Sequence, residues 1–222
     1  MVDPSAAFEF NLSAPLTGLL GFASPSSESL YLLGMTGSVA WLCGHWWTIL
    51  TANFLHGSLL HIFFNLSWLR TLGTLCLQLF GPIRLINIYI LTGAGGFLFS
   101  NLYKNHPTIG ASCALFGLMG VLISYGRRRG GTFGDALSKQ VWTWAIVGFL
   151  ISFAIPMVNN AGHAGGFVTG LLMGRLLPVH GQRSNRSEQL IALALVIGTI
   201  AGFGLSMWKM WSPVTDGTPV CM

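Results

Sequence analysis

The long stretches without a charged side chain constrain this chain more than any other feature of its sequence. Five of them have nineteen residues or more, at 29–69, 85–103, 105–126, 140–174 and 189–208. A helix needs about 20 predominantly apolar residues to cross the hydrocarbon core of a bilayer. Only helices and closed barrels satisfy their own backbone in lipid, and these runs lack the alternation typical of barrel strands. The sequence therefore predicts an all-α, polytopic transmembrane helical bundle.

The composition agrees with this class, because charged residues make up 8% of the chain and hydrophobic residues 52%. A soluble domain carries about 25% charged residues. The charge-free stretch at 140–174 is long enough for two spans. A turn predicted by Pro156, Asn159 and Asn160 divides it. The predicted spans lie at about 58–79, 83–102, 111–126, 140–157, 161–177 and 190–210. In the span at 161–177 a glycine recurs every four residues, which predicts very tight packing on a neighbouring helix.

The first helix is poorly defined by the sequence. Hydropathy favours a span near Leu30–Leu50, which contains no formal charge. The same residues include three glycines and the tryptophan pair Trp46 and Trp47, which suit a segment at the level of the lipid headgroups. Both interpretations remain open at this point.

Basic residues predict the orientation of the bundle. Eight of the eleven fall in alternate connections: Arg84, Arg127, Arg128, Arg129, Lys139, Arg175, Arg183 and Arg186. Positive-inside bias places the connections 80–84, 127–139 and 175–188 in the cytoplasm. The loops near 43–57, 103–109 and 157–160 and the C-terminal tail then lie outside. The net charge of +5 thus reflects topology rather than binding of nucleic acid, and the lack of Lys or Arg before Arg70 argues against a signal or transit peptide.

Several kinds of catalytic site are excluded by residue type. All six acidic residues lie outside the predicted spans, so neither paired carboxylates nor an HExxH helix operates within the membrane. GASCA does not fit the GxSxG pattern because position 114 is alanine, and no Gly-rich nucleotide loop is present. The four cysteines show neither paired spacing nor a metal pattern. We therefore expect no metal and no cofactor.

Serine and histidine are the remaining candidates for chemistry inside the membrane. Ser112 lies where a polar loop becomes an apolar helix, within HPTIGASCALFGLMG at 106–120. Taken alone it fits a packing serine bonded to a carbonyl one turn earlier. His163 lies in AGHAGG, and by itself it fits equally well a hydrogen bond across the bundle. If their two helices pack together, the imidazole is placed to act as general base for Ser112, with Phe116 one turn further on stacking against it.

His61 and Asn65 form a second pair of candidates. They are four residues apart, so their side chains lie on the same helix face. Together with the backbone N–H of Ser112 they would form an oxyanion hole. The alternative is a polar stripe that satisfies broken backbone near His56, and the pair by itself does not exclude it.

Three motifs, HGSLLHIFFN, GASCALFGLMG and GHAGG, occur in this order on alternating predicted spans. They resemble those of the rhomboid family of intramembrane serine proteases, from about Trp46 to Arg175. The resemblance implies Ser112 as nucleophile, His163 as base, His61 and Asn65 as oxyanion donors, and supporting roles for His56, Phe116 and Gly110. It also implies a six-helix core, here with a C-terminal seventh helix, and cleavage of membrane proteins in or near their transmembrane segments without metal or cofactor. The domains expected on this basis are an N-terminal segment 1–45, a rhomboid-like catalytic core 46–178, and a cytoplasmic linker, last helix and tail at 179–222.

The chain departs from the family pattern at three places. Cys113 follows the serine where a glycine is usual, and Thr48 follows Trp47 where an arginine is usual. Leu77 and Gln78 lie where a glutamate is expected on the second helix. These departures favour an alternative, an inactive rhomboid-like protein that binds membrane clients without cutting them. A small transporter or channel would explain the glycine-rich helices but not the co-occurrence of serine, histidine and HxxxN.

The expected partners are therefore transmembrane protein substrates and the lipid bilayer. The expected location is a bacterial plasma membrane, with cleavage of single-span substrates from the outer face.

Overall fold

The computed structural model of the chain describes residues 10–11, 24–103, 106–155, 158–179 and 183–211. Within them the chain is overwhelmingly helical, and the predicted all-α membrane bundle is confirmed. The helices are α1 (Ser27–Leu32), α2 (Ser38–Leu42), α3 (Thr48–Thr51), α4 (Leu59–Phe80), α5 (Pro82–Tyr103), α6 (Ser112–Arg129), α7 (Gly131–Ala154), α8 (Asn160–Leu176) and α9 (Arg186–Trp211). Two short strands, β1 (Phe10–Asn11) and β2 (Ser24–Pro25), pair antiparallel, and a 3₁₀ turn covers Ala52–Phe54.

The segment Leu30–Leu50 does not form one continuous helix. It is divided among α1, α2 and α3, and the chain from Thr48 to Phe54 meets α4 at an angle of 92°. The breaks contain Gly34 and Gly44, whose φ angles are positive. The structure thus shows that this segment is not a single spanning helix. Residues 1–9 and 12–23 of the expected N-terminal segment lie outside the described residues.

Three described helices, α5, α7 and α9, are long and apolar enough to cross a membrane, and α4 with its bent N-terminal extension makes a fourth candidate. α6 carries three arginines in its last turn, and α8 has only 17 residues. Length and composition alone therefore do not identify α6 and α8 as spans. Both are nevertheless packed among the longer helices.

The connection predicted at 127–139 is a single residue in the structure. α6 continues through its arginines to Arg129, and α7 begins at Gly131. Charged side chains end an apolar run, but they do not interrupt intrahelical hydrogen bonds, so both helices extend past the predicted membrane boundary. Arg128 donates to the carbonyls of Gly174 and Leu177 at 2.8 and 2.6 Å, where α8 ends. Lys104, Pro156 and the C-terminal tail, each of which entered the topology prediction, lie outside the described residues.

α6 is the central helix of the bundle, and its residues from Cys113 to Gly126 are all buried. The glycines of α8 face its backbone. A Cβ on Gly166 would lie 2.1 Å from the carbonyl oxygen of Cys113, and one on Gly170 would lie 2.0 Å from that of Gly117. Only glycine permits so close an approach, so the predicted tight packing of this helix is confirmed. This contact brings the N-terminal ends of α6 and α8 to the same level.

At the opposite end of the bundle, an ion pair joins α5 to α9. The guanidinium of Arg84 donates to both carboxylate oxygens of Glu188, at 2.8 and 3.0 Å, and to the carbonyl of Arg183 at 3.2 Å. The amide of Asn87 donates to the backbone carbonyl of Glu188 at 2.9 Å. A bidentate pair of this kind fixes both distance and orientation, and so fastens α9 to the core.

Candidate active site

Ser112 is the first residue of α6, directly after a turn that only glycine adopts easily. Gly110 has a φ of +116°, and its N–H donates to the carbonyl of Ala52 at 2.9 Å. This bond ties the turn to the 3₁₀ segment that precedes α4. The first N–H groups of a helix have no intrahelical acceptor. The backbone N–H and the hydroxyl of Ser112 are therefore both presented at the same end of α6.

The structure brings Ser112 and His163 together. Ser112 Oγ lies 2.8 Å from His163 Nε2, and the imidazole of His163 is 6% exposed. Among the described residues, no group forms a hydrogen bond with Nδ1 of this imidazole. The pair can transfer a proton between the two atoms without a carboxylate orienting the ring.

Phe116 holds the imidazole from one side. Its ring is stacked on that of His163, with 4.5 Å between centroids and 25° between planes. Phe149 on α7 contacts the same phenylalanine, with 4.4 Å between centroids. The ring of His163 is thus stacked on the ring of Phe116, which belongs to the neighbouring helix α6. This is the position that the sequence predicts for Phe116.

His61 lies beside Ser112, and a hydrogen bond from the backbone determines which nitrogen of its ring carries the proton. The N–H of Gly57 donates to His61 Nδ1 at 3.3 Å, so the neutral ring carries its own proton on Nε2. A Cβ built on Gly110 would lie 2.7 Å from this Nε2 and 3.9 Å from Ser112 Oγ. The donor edge of His61 therefore faces the turn from which Ser112 emerges. The ring of His56 meets His61 edge to face at 5.0 Å, which is a bracing contact.

Asn65 is buried one turn further along α4, 5% exposed. Its amide donates to the carbonyl of His61 at 2.9 Å, so one of its two N–H groups is used within the helix. The structure thus places His61 beside Ser112. The contact that it shows for Asn65 is with the backbone of His61. The other N–H of Asn65 remains available as a donor on the same helix face.

Cys113 points away from the dyad. It is 1% exposed, and its side chain packs between α5 and α8. A Cβ on Gly96 would lie 2.8 Å from Cys113 Cβ, and one on Gly162 would lie 2.9 Å from its sulfur. The space left by these two glycines accommodates the larger residue after the serine. Adjacent helix positions differ by about 100° around the axis, which explains why the thiol does not face His163.

A polar cluster that the sequence reasoning missed surrounds the start of α8. Asn159 caps this helix by accepting from the N–H of Gly162 at 3.0 Å. Its amide also donates to the hydroxyl of Thr108 at 2.7 Å and to that of Ser100. These bonds tie the N-terminus of α8 to α5 and to the loop before Ser112. An asparagine directly before an apolar helix is an N-cap signal that would have identified this residue.

Comparison with known proteins identifies the family of this chain. A family model described as the Rhomboid domain matches residues 43–179, more than half of the chain. Inactive RHOMBOID-like protein 8 of Arabidopsis thaliana is 36% identical over 179 residues, 75% of this chain and 51% of that protein. Rhomboid protease GluP of Bacillus subtilis (strain 168) is 29% identical over 180 residues, 81% of this chain and 35% of that protein. RHOMBOID-like protein 7 of Arabidopsis thaliana is 32% identical over 200 residues, 87% of this chain and 60% of that protein.

The chain thus spans between about a third and three fifths of the length of these relatives. The matched region contains all the motifs described above, from the loop before α3 to the end of α8. Its apolar helices make the chain an integral, multi-pass membrane protein. On the match to the Rhomboid domain, this protein belongs to the rhomboid family.

Proposed function

We propose that this protein is an intramembrane serine endopeptidase that hydrolyses peptide bonds in or near the transmembrane segments of other membrane proteins. The observation that carries the proposal is the 2.8 Å approach of Ser112 Oγ to His163 Nε2, inside a helical membrane bundle. A serine bonded to the carbonyl one turn earlier, as in a packing role, would not require a buried imidazole at this distance. The rhomboid family includes the protease GluP, which supports the same activity here.

In the proposed reaction, Ser112 Oγ attacks the scissile carbonyl carbon while His163 Nε2 takes the hydroxyl proton. The carbonyl oxygen becomes an oxyanion, which accepts from Nε2–H of His61 and from the backbone N–H of Ser112. Asn65 contributes its remaining amide N–H. Collapse of the tetrahedral species breaks the C–N bond, and the imidazolium returns its proton to the leaving amine. Water then hydrolyses the acyl-serine by the same steps, and no cofactor is needed.

The second candidate function is that of an inactive rhomboid-like protein that binds membrane clients without cutting them. Its support is a relative that is named inactive and is 36% identical to this chain, together with Cys113 beside the serine. The direction of the Cys113 side chain weighs against it, because the sulfur packs between α5 and α8 and leaves the dyad unobstructed.

An active-site probe separates the two candidates. A fluorophosphonate should label the purified protein at Ser112, and a single-span reporter should be cleaved in proteoliposomes. Ser112→Ala should lose both signals, His163→Ala should lose cleavage, and Cys113→Ala should keep both. A correctly folded wild-type protein that neither reacts with the probe nor cleaves a panel of single-span reporters would favour the client-binding function.

We further propose the domain division 1–45, 46–178 and 179–222, and an orientation with the N-terminal ends of α4, α6 and α8 on the outer side. Single cysteines at positions 130 and 185 should then react with impermeant reagents only from the cytoplasmic side. We do not propose a bacterial plasma membrane as the location, because two of the three relatives described above come from a plant.

A further inference from the structure

A cavity of about 460 Å³ opens at the end of the bundle opposite Ser112. Residues 77–83 line one side of it, where α4 ends and α5 begins. Arg183, Ser184 and Gln189, from the start of α9 and the residues before it, line the other side. The cavity is therefore separate from the candidate active site and joins two parts of the chain that are distant in sequence.

The two sides of the cavity differ in chemistry. Residues 77–83 supply mainly apolar side chains, among them Leu77, which is 45% exposed. The other side supplies the guanidinium of Arg183, the hydroxyl of Ser184 and the amide of Gln189. These three groups donate hydrogen bonds, although one N–H of Gln189 already donates to the carbonyl of Ser184 at 3.4 Å. A ligand that fills the cavity must therefore combine an apolar part with a hydrogen-bond acceptor.

The charge of Arg183 indicates the sign of the ligand. Its side chain is exposed, and among the described residues its guanidinium has neither a hydrogen bond nor an ion pair. The carboxylate of Glu188, five residues further along, accepts at both oxygens from the guanidinium of Arg84. That buried pair is neutral, so Arg183 gives the cavity a net positive charge. An anionic group is the complement of such a site.

The surroundings of the cavity reinforce this preference. Four further exposed arginines lie at the same end of the bundle, in the last turns of α6 and α8 and at the start of α9: Arg127, Arg129, Arg175 and Arg186. Positive-inside bias alone accounts for arginines at the ends of spans. Arg183 differs from these four because it lines a cavity. The cavity lies where the chain turns from α4 into α5, which is the level of the lipid headgroups.

An apolar surface continues from the cavity along α9. Gln189, Leu193 and Ile197 are four residues apart and so share one helix face. Leu193 is 56% exposed and Ile197 is 55% exposed. A small soluble anion would contact only the polar side of the cavity, whereas a phospholipid would contact both sides and this face of α9.

We propose that the cavity binds an anionic phospholipid, with the phosphate on Arg183 and an acyl chain along Leu77 and the exposed face of α9. Basic pockets between membrane helices are suited to anionic headgroups. The lipid bridges the turn between α4 and α5 to the start of α9. It thus adds to the pair of Arg84 and Glu188 in fastening α9 to the core.

Titration of delipidated protein with phosphatidylglycerol in detergent tests the site, with native mass spectrometry as the readout. Arg183→Gln should raise the apparent Kd about fivefold, the effect of one basic residue near an anionic lipid. Arg183→Lys should recover most of the affinity. Arg186→Gln is the matched control, because it removes the same charge three residues away from an exposed side chain that does not line the cavity. Equal losses in Arg183→Gln and Arg186→Gln would assign the attraction to diffuse charge and overturn the proposal.

Thermal unfolding separates the classes of ligand. Phosphatidylglycerol should raise the apparent Tm of wild type more than phosphatidylcholine at the same concentration, and Arg183→Gln should lose most of this difference. Inorganic phosphate should leave the Tm unchanged, because it lacks the apolar part. An equal rise with phosphatidylcholine would show lipid binding without selection for charge, and an equal rise with inorganic phosphate would show an anion site that requires no lipid. Either result would overturn the proposal, and neither readout depends on proteolytic activity.

Discussion

The ring of Phe116 lies nearly parallel to the imidazole of His163, with 4.5 Å between the two centroids. No described residue bonds to Nδ1 of that imidazole, so in the proposed mechanism the stacking contact takes the orienting role that a carboxylate has in a catalytic triad. The geometry of the proposed dyad would then depend on an apolar neighbour.

Phe116→Leu should lower kcat by up to about tenfold and leave KM nearly unchanged, because an aromatic pair contributes about 0.5–1.5 kcal/mol beyond its buried area. Phe149→Leu is the matched control. Phe149 contacts Phe116 and Phe167 and has no ring contact with His163. Steady-state cleavage in detergent checks the difference, and equal losses in both variants would assign Phe116 a packing role only.

Gly110→Ala should abolish cleavage. The added Cβ would lie 2.7 Å from the ring of His61, and φ at this position is +116°. We expect a displaced His61 and a backbone strain of about 1–3 kcal/mol. Gly130→Ala is the control, because φ there is +61° and a Cβ meets no atom within 4 Å. Cleavage and thermal unfolding should be measured together; full activity in Gly110→Ala would remove His61 from the site.

His61→Ala and Asn65→Ala should each slow turnover, by up to about 10²–10³-fold for a lost oxyanion donor. The loss should be larger for His61, whose Nε2 edge faces Gly110, than for Asn65, whose amide already donates to the His61 carbonyl. Ser67→Ala is a control for that helical hydrogen bond, since Ser67 donates to the carbonyl of Phe63 from an exposed position. Unchanged turnover in the His61, Asn65 double variant would leave this pair with a structural role.

Glu188→Gln should destabilise the protein in detergent without changing the chemistry at Ser112. Arg84 is 4% exposed, and breaking its pair leaves a largely buried guanidinium without its counter-charge. We expect the apparent Tm to fall by several degrees. Asp135→Asn, which also removes one carboxylate but at an exposed position of α7, should have little effect. A Tm equal to that of wild type would show that α9 is held without this pair.

Acidification should weaken the attachment of α9 to the loop between α2 and α3, where the ammonium of Lys209 lies 2.7 Å from Nε2 of His45. Burial, together with the nearby Lys209 ammonium, lowers the pKa of His45 from 6.5 to about 4. The unfolded chain therefore binds more protons than the folded chain between these two values. The stability contributed by neutral His45 is fully present above pH 6.5 and is lost as the pH falls towards 4. Thermal unfolding across this window should show a smaller decline in His45→Gln than in wild type, and identical declines would assign the pH dependence to other groups.

Much of the architecture was determined by the sequence alone. Charge-free runs predict spanning helices because a bilayer offers no partner for an unpaired backbone group. Glycines four residues apart predict tight packing of α8 on a neighbouring helix, because that spacing places them on one helix face. The structure shows that this neighbour is α6. Residue type and spacing identified four candidate site residues, namely Ser112, His163, His61 and Asn65. Their roles remain a proposal that the experiments above address.

The tertiary structure decided what no local pattern contains. The helix boundaries at Arg129 and Gly131 follow from hydrogen bonding and from packing of Arg128 on the end of α8, not from hydropathy. The tautomer of His61 depends on the N–H of Gly57, which hydropathy and spacing do not reveal. The direction of Cys113 depends on the room left by Gly96 and Gly162, which lie on two other helices. Local sequence thus determined which residues lie on each helix. Helix packing decided which of these residues contact one another, because each such contact involves atoms from separate elements.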